Sequence, residues 1–113
     1  MHEMSIAQSI VEIVEDVRRE KGDPLVEKVF VAVGKLVGIV PESLEFSFQA
    51  ITAGTGLDGA ELVIENIPIR ARCGDCDHTF EVESFVFRCE RCEGTSLDVV
   101  SGNELAVREI EVQ

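Results

Sequence analysis

The sequence lacks a surplus of basic residues, a long apolar run and a basic N-terminal leader. It holds 10 Lys and Arg against 22 Asp and Glu, which gives a net charge of −12. A nucleic-acid-binding surface needs a basic footprint, so we expect no nucleic acid as a partner. No apolar run approaches the roughly 18 residues of a membrane span, and no basic region precedes an apolar stretch at the N-terminus. We therefore predict a cytoplasmic protein without a membrane segment.

Cysteine is also scarce, because the chain has only four. Four cysteines in a secreted protein can form two disulfides, but no signal peptide supports that setting. The acidic excess is typical of a solvated surface, or of a surface that meets basic partners or cations. A hydrophobic fraction of 45% over 113 residues is enough for a packed core in one domain, or in one domain with a small insert.

Helical periodicity indicates two helices. Apolar residues at helical spacing predict an amphipathic helix over 5–20, in which Ser5 and Gln8 form a capping box. Pro41 suits the first turn of a second helix, which we expect to close near Gly54.

Extended segments make up most of the remaining chain. Dense β-branched and aromatic residues predict a buried strand over 26–37, and a second strand runs through 62–64. Two further extended stretches, 97–100 and 104–112, flank a turn at Gly102-Asn103. A cysteine segment set between strands indicates an insert in a small α+β domain.

The cysteines form two matched C-x2-C pairs, Cys73-Gly-Asp-Cys76 and Cys89-Glu-Arg-Cys92, twelve residues apart. A tight turn brings the two sulfurs of such a pair together, and two pairs supply the tetrahedral thiolate shell that zinc prefers. An iron–sulfur cluster and a redox dithiol are the alternatives. Because four thiolates leave no open position for water, we expect a structural rather than a catalytic zinc, and no enzyme.

The segment between the two pairs is expected to form a short hairpin from 79–82 and 85–87. The core of the insert would then consist of only a few side chains, so the metal would have to fold it. These side chains are Phe80, Val82, Phe85, Val86 and Phe87.

The N-terminus offers a second candidate site. The α-amine of Met1, the backbone nitrogen of His2 and its imidazole can chelate one ion in a planar arrangement, which suits Ni(II) or Cu(II). Met-His alone is weak evidence, since a terminal histidine without a role is the simpler interpretation. Glu3 would be a favourable charge at a helix N-terminus. The remaining histidine, His78, is either an exposed loop residue or a nickel ligand or pH sensor.

Several motifs occur in the order typical of one family. They are the opening Met-His-Glu-Met-Ser, the stretch Gly54-Thr-Gly-Leu-Asp-Gly-Ala-Glu-Leu62, the two cysteine pairs, and the closing Ser101-Gly-Asn-Glu-Leu105 and Ile110-Glu-Val112. Over essentially its whole length the chain resembles the HypA/HybF hydrogenase maturation proteins, which are nickel metallochaperones.

The resemblance implies an α+β fold with two helices on a small three-stranded mixed sheet, carrying a zinc-ribbon-like domain. It divides the chain into a nickel-binding domain, 1–70 plus 97–113, and a zinc domain, 71–96. It also implies delivery of nickel for the maturation of [NiFe]-hydrogenase, and in some organisms of urease. The GTPase HypB and the hydrogenase large subunit precursor are the implied partners.

The resemblance also assigns residues by position. His2 is the nickel ligand with Met1 supplying its amine, and Glu3 is a ligand, a supporting group or a partner contact. The zinc ligands are Cys73, Cys76, Cys89 and Cys92. The alternative function is that of a zinc-stapled adaptor or protein-interaction module without nickel transfer. A zinc-ribbon nucleic-acid module is opposed by the charge, and a small zinc enzyme by the closed shell.

Overall fold

The structure is a computed structural model that describes residues 3–113. Two α-helices and six β-strands follow one another, with a 3₁₀ turn at Lys35–Val37 after the first strand. The helices are α1 (Glu3–Glu20) and α2 (Pro41–Thr52). The strands are β1 (Val26–Gly34), β2 (Glu61–Ile67), β3 (Arg70–Cys73), β4 (Thr79–Glu81), β5 (Leu97–Ser101) and β6 (Leu105–Val112).

The strands form two separate three-stranded sheets. In the first sheet, of order β2-β1-β6, the central β1 pairs in parallel with β2 and antiparallel with β6. The second sheet, of order β4-β3-β5, is antiparallel throughout. Two helices and a mixed three-stranded sheet confirm the predicted α+β class.

The main core lies between the first sheet and the two helices, which pack against each other. Alternation along β1 buries Val29, Val31 and Val33, because successive side chains of a strand point to opposite faces. Helical spacing brings Ala7, Ile10 and Val14 of α1 onto them. The rest of this core is Val26, Leu44, Phe48, Leu57, Ala60 and Leu62. Together these elements form what we call the first region.

The second region consists of the second sheet and the cysteine segments attached to it. It has a smaller core of Ile69, Ala71, Cys73, Phe80, Val82 and Cys89. Because β5 pairs with β3, residues 97–101 belong to this sheet and not to the first. The predicted division of the chain into two domains stays a prediction.

The two regions meet where two chain segments cross side by side. The Ser101 hydroxyl donates a hydrogen bond to the carbonyl of Pro68 at 2.9 Å, which ties one segment to the other. Gly34 lies so close to Gly102 that a Cβ on Gly34 would stand 2.0 Å from the Gly102 carbonyl oxygen. Gly102 itself has φ 110°, a conformation that favours glycine. The junction is therefore built from backbone in direct contact.

Two boundary predictions are wrong. The first helix begins at Glu3, so Ser5 is inside it and the predicted capping box does not form. Ser5 instead accepts a hydrogen bond from the Ser9 hydroxyl through its carbonyl oxygen, at 3.2 Å. The strand predicted over 26–37 ends at Gly34, where its pairing with β2 and β6 ends and the 3₁₀ segment begins.

The predicted hairpin between the cysteine pairs is also wrong. Thr79–Glu81 pairs with Arg70–Arg72, and residues 85–87 form no strand. Phe80 and Val82 are buried as predicted, whereas Phe85, Val86 and Phe87 are 62%, 52% and 38% exposed. β3 occupies the position next to β4 that the sequence pattern assigned to 85–87.

None of the helices described within residues 3–113 combines the length and apolarity that crossing a membrane requires.

Candidate metal centre

The first cysteine pair sits at the end of β3 in a tight turn. The Cys73 amide donates to the carbonyl of His78, and the Asp77 amide donates to the carbonyl of Cys73, both at 2.9 Å. Asp77 has φ 67°, in the left-handed region that Asp tolerates better than most residues. This turn folds the chain back within five residues, so that Cys73 and Cys76 lie on the same side.

The second pair repeats that geometry. The Cys89 amide donates to the carbonyl of Gly94 at 2.8 Å, and the Glu93 amide donates to the carbonyl of Cys89 at 2.9 Å. Glu93 has φ 65°, matching Asp77 in the first turn. The two pairs are therefore two copies of one local structure, which we call the knuckles. Each knuckle presents its sulfurs to the other.

The four sulfurs converge. Their Sγ atoms all lie within 4.8 Å of one another, with Cys73 to Cys92 at 3.5 Å and Cys76 to Cys89 at 3.6 Å. A tetrahedral ion with Zn–S bonds of about 2.3 Å places its ligand sulfurs roughly 3.8 Å apart. The arrangement thus fits a four-thiolate shell around one ion. The structure brings together all four cysteines singled out from the sequence.

The thiols of the cluster differ in pKa. The backbone amides of Cys92 and Arg91 both point at the Cys89 sulfur from 3.4 Å, and with the Cys92 amide as the largest cause the pKa of Cys89 is lowered to about 6. The Gly94 amide favours the Cys92 thiolate, but the thiols of Cys73 and Cys76, with burial, outweigh it and raise the pKa of Cys92 to about 12.

The His78 amide likewise favours the Cys76 thiolate, yet burial and neighbouring thiols raise the pKa of Cys76. Four sulfurs at this distance cannot all ionise without a cation between them, because like charges oppose each other. A bound cation removes that obstacle, and the cluster then holds a closed set of four thiolates.

A histidine–carboxylate contact links the knuckles outside the sulfur cluster. The Nε2 atom of His78 lies 2.8 Å from Oε1 of Glu90, so a side chain from after the first knuckle reaches one inside the second. The His78 ring also stacks on Phe80, with ring centroids 5.7 Å apart. Stacking and this contact hold the imidazole ring of His78 in place, and the four sulfurs already complete the metal cluster without it. The predicted role of His78 as a nickel ligand stays a hypothesis.

The close packing around Gly94 was not predicted from the sequence. A Cβ there would stand 2.7 Å from a carboxylate oxygen of Asp75 and 3.3 Å from the sulfur of Cys92. Position 94 corresponds to His78 of the first knuckle, which tolerates a side chain. The signal was present, because a glycine two residues after a C-x2-C pair is readable as part of the turn.

The candidate nickel site falls only partly within the described chain. Met1 and His2, on which the predicted chelate depends, lie outside the described residues. Glu3 opens α1, and one of its carboxylate oxygens accepts a hydrogen bond from the Val40 amide at 3.3 Å. Val40 immediately precedes α2 and has no side-chain cap of its own. Glu3 thus caps α2 from the first turn of α1, a contact across 37 residues that no local pattern could reveal.

Comparison with known families gives one match over nearly the whole chain. Residues 1–112 match the family described as hydrogenase/urease nickel incorporation, metallochaperone, hypA. The hydrogenase maturation factor HypA of Geotalea uraniireducens is 44% identical over 113 residues, which is 100% of both chains. That of Geobacter metallireducens is 45% identical, again over 100% of both chains.

A solved structure shares the fold. The solution structure of the Ni metallochaperone HypA from Helicobacter pylori superimposes with a TM-score of 0.69 at 23% identity, covering 99% of this chain and 97% of that one. At this identity the likeness concerns the fold alone.

Proposed function

Since this chain belongs to the HypA family of nickel metallochaperones, we propose that it binds Ni(II) at its N-terminus and delivers it for the maturation of [NiFe]-hydrogenase or urease. The match over residues 1–112 carries the proposal, together with the 41–45% identity of relatives named hydrogenase maturation factor HypA. The GTPase HypB and the hydrogenase large subunit precursor are its proposed partners, and the cytoplasm is its proposed location.

The proposed nickel ligands are the amine of Met1, the backbone nitrogen and imidazole of His2, and Glu3 as a ligand or supporting group. Two features support this assignment. Helix α1 begins at Glu3, directly after His2, so the proposed nickel ligands are joined directly to a helix. The hydrogen bond from the Val40 amide to Glu3 links the start of that helix to α2. An incomplete chelate at a chain end leaves a position for an acceptor's ligand, so the metal can be exchanged without release.

The proposed resident metal is one zinc ion, held by Cys73, Cys76, Cys89 and Cys92. The sulfur separations of 3.5 and 3.6 Å support it. A zinc ion with four thiolates organises its surroundings and has no position for a reacting water. We propose that its task here is to hold the knuckles and the second sheet together, and that the chain transfers metal rather than catalysing a reaction.

The test is a nickel titration of the chain with its native Met1 terminus, followed by calorimetry and by absorption of planar Ni(II). The variants are His2→Ala and a chain extended ahead of Met1, and His78→Asn is the matched histidine control. We expect one nickel per native chain, lost in both N-terminal variants and kept in the control.

Two other outcomes would contradict the proposed N-terminal nickel site. Nickel binding that survives in both N-terminal variants but is lost in His78→Asn would show that the nickel site is at the knuckles. A chain that binds zinc but no nickel would favour the adaptor function instead.

A further inference from the structure

A shallow cleft separates the first turn of α1 from the exposed side of α2. Its volume is about 610 Å³, and it is lined by Glu3, Met4, Ser5, Glu42, Ser43, Phe46 and Ser47. We call this set of residues the cleft. Three of its members are serines, which have small side chains, and its two large apolar members are Met4 and Phe46.

Phe46 is not part of the core. Helix α2 buries Leu44, Ser47 and Phe48 against the first region, and this leaves Phe46 on the other side. At 72% exposure Phe46 is the most exposed of the large apolar side chains among residues 3–113, and Met4 beside it is 42% exposed. Two large apolar side chains facing one cleft make a patch, which is more informative than single exposed residues.

The charged side chains that line the cleft, Glu3 and Glu42, are both acidic. No Lys or Arg precedes Arg18, and none occurs between Lys35 and Arg70. The residues of the cleft all come from these two stretches without Lys or Arg, and α2 exposes Glu42 and Glu45 beside Phe46. Such a surface repels phosphate groups, anionic lipid and a second copy of this acidic chain. It is complementary to a protein surface that is both apolar and basic.

We propose that the cleft is the docking surface for a lysine- or arginine-rich amphipathic helix of a partner protein. An apolar side chain of that helix packs between Met4 and Phe46, as in other helix-in-groove complexes. Its basic side chains face Glu42 and Glu45. The inference rests on the proposed function in one respect: Glu3, which lines the cleft, belongs to the proposed nickel site and Met4 directly follows it, so the docked partner is the protein that exchanges the metal.

The test uses two synthetic helical peptides of about 18 residues, or five turns. Both carry leucines on one face, and the other face carries lysines in one peptide and glutamates in the second. Each is titrated into the ¹⁵N-labelled full chain. We expect the lysine peptide to shift the amides of 3–5 and 42–47, and the glutamate peptide to shift none of them.

Matched variants distinguish binding in the cleft from non-specific binding to other exposed apolar or acidic side chains. Phe46→Ser should weaken binding of the lysine peptide by about tenfold, as for a central contact of an interface, and Glu42→Gln by a smaller factor, up to about fivefold, because Glu42 is exposed. Phe85→Ser removes another exposed phenylalanine, and Glu12→Gln removes another exposed carboxylate of a helix, so neither should change the affinity. Shifts centred on 85–87, shifts spread over the whole acidic surface, or unchanged affinity in Phe46→Ser would each overturn the proposal.

Nickel titration of the same proteins keeps the two proposals apart. Phe46→Ser should bind nickel as the unaltered chain does, because Phe46 is outside the proposed chelate, while losing affinity for the peptide. A native chain that binds the lysine peptide in the cleft but binds no nickel would refute the proposed function alone. If the native chain binds nickel but Phe46→Ser does not change the affinity for the lysine peptide, the docking surface alone would be refuted.

Discussion

The first sheet carries two helices across one face, whereas the second sheet carries none and has two knuckles in their place. The first region buries an apolar core in which every member is a hydrophobic side chain. The core of the second region is much smaller, and two of its members are cysteines. Below a certain size a chain cannot bury enough apolar surface to offset its conformational entropy. The two regions therefore differ in what can hold them together: apolar burial in the first, and in the second a small core beside four cysteines that could hold a metal ion.

Removing the metal is the strongest way to test this comparison. Chelation should unfold the second region and leave the first intact, because structural zinc contributes about 10–16 kcal/mol to the folding of small zinc domains. We expect the amide signals of 73–96 to collapse in ¹⁵N spectra while those of α1, α2 and β1 keep their dispersion. Loss of both sets together would mean that the regions do not differ in this way.

Truncation of Phe48 addresses the other side of the comparison. Phe48 is fully buried in the first core, so Phe48→Ala should lower the free energy of unfolding by about 3–5 kcal/mol. Zinc content should not change. Phe46→Ala, two residues away and exposed, is the control and should stay within about 0.5 kcal/mol. Urea unfolding followed by circular dichroism measures the first effect, and a chromogenic zinc assay measures the second.

Lowering the pH should separate the regions by the charges on which they depend. Zinc binding requires four thiolates, and the raised pKa values of Cys76 and Cys92 mean that both lose protons when the ion binds. Zinc affinity should therefore fall as the pH falls, by about tenfold per pH unit for each proton displaced. Below pH 6 the decline should steepen, because Cys89, with its pKa lowered to about 6, then also holds a proton.

Competition with a chromogenic chelator across this pH range gives the slope. The core of the first region contains no ionisable side chain, so its helical signal should persist while zinc is lost. An affinity that does not vary with pH would contradict the raised pKa values of Cys76 and Cys92. A slope that stays the same below pH 6 would contradict the lowered pKa of Cys89.

The smallest effect is expected at the contact between the knuckles. His78→Asn removes the bond to Glu90 and the stacking on Phe80, but exposed polar pairs contribute only about 0–1 kcal/mol. Zinc should dissociate slightly faster, with little change in stability. Arg72→Gln, which removes a similar exposed bond to Asp77, is the control at the edge of one knuckle. A loss of zinc in His78→Asn would show that the ring does more than join the knuckles.

Local patterns predicted the parts of this molecule that depend on neighbouring residues. The C-x2-C spacing predicted the convergence of four sulfurs, and helical periodicity with Pro41 predicted α1 and α2. Contacts between distant residues were not predictable in the same way. The bond from Val40 to Glu3, which caps α2, spans 37 residues, and no pattern among neighbouring residues indicates it.

In segment 85–87 the error is a strand that was predicted but does not form. Phe85, Val86 and Phe87 have the composition of a buried strand, yet β3 already pairs with β4 and leaves them no place in the sheet. Ser84 and Phe85 have positive φ, at 52° and 57°, which is incompatible with a continuing strand. Composition indicates what a segment could bury, whereas pairing elsewhere in the chain decides whether it does.

The hydrogen bond between Ser101 and Pro68 has a consequence for how such a chain can change during evolution. It places the start and the end of a 34-residue span next to each other, as the two ends of a surface loop are placed. A span with adjoining ends can be lengthened, shortened or exchanged by one recombination event, without shifting the register of β1 on β2 and β6. Relative to the first sheet, the second region with its four cysteines is a single loop insertion, which can diversify while the first sheet and its helices stay the same.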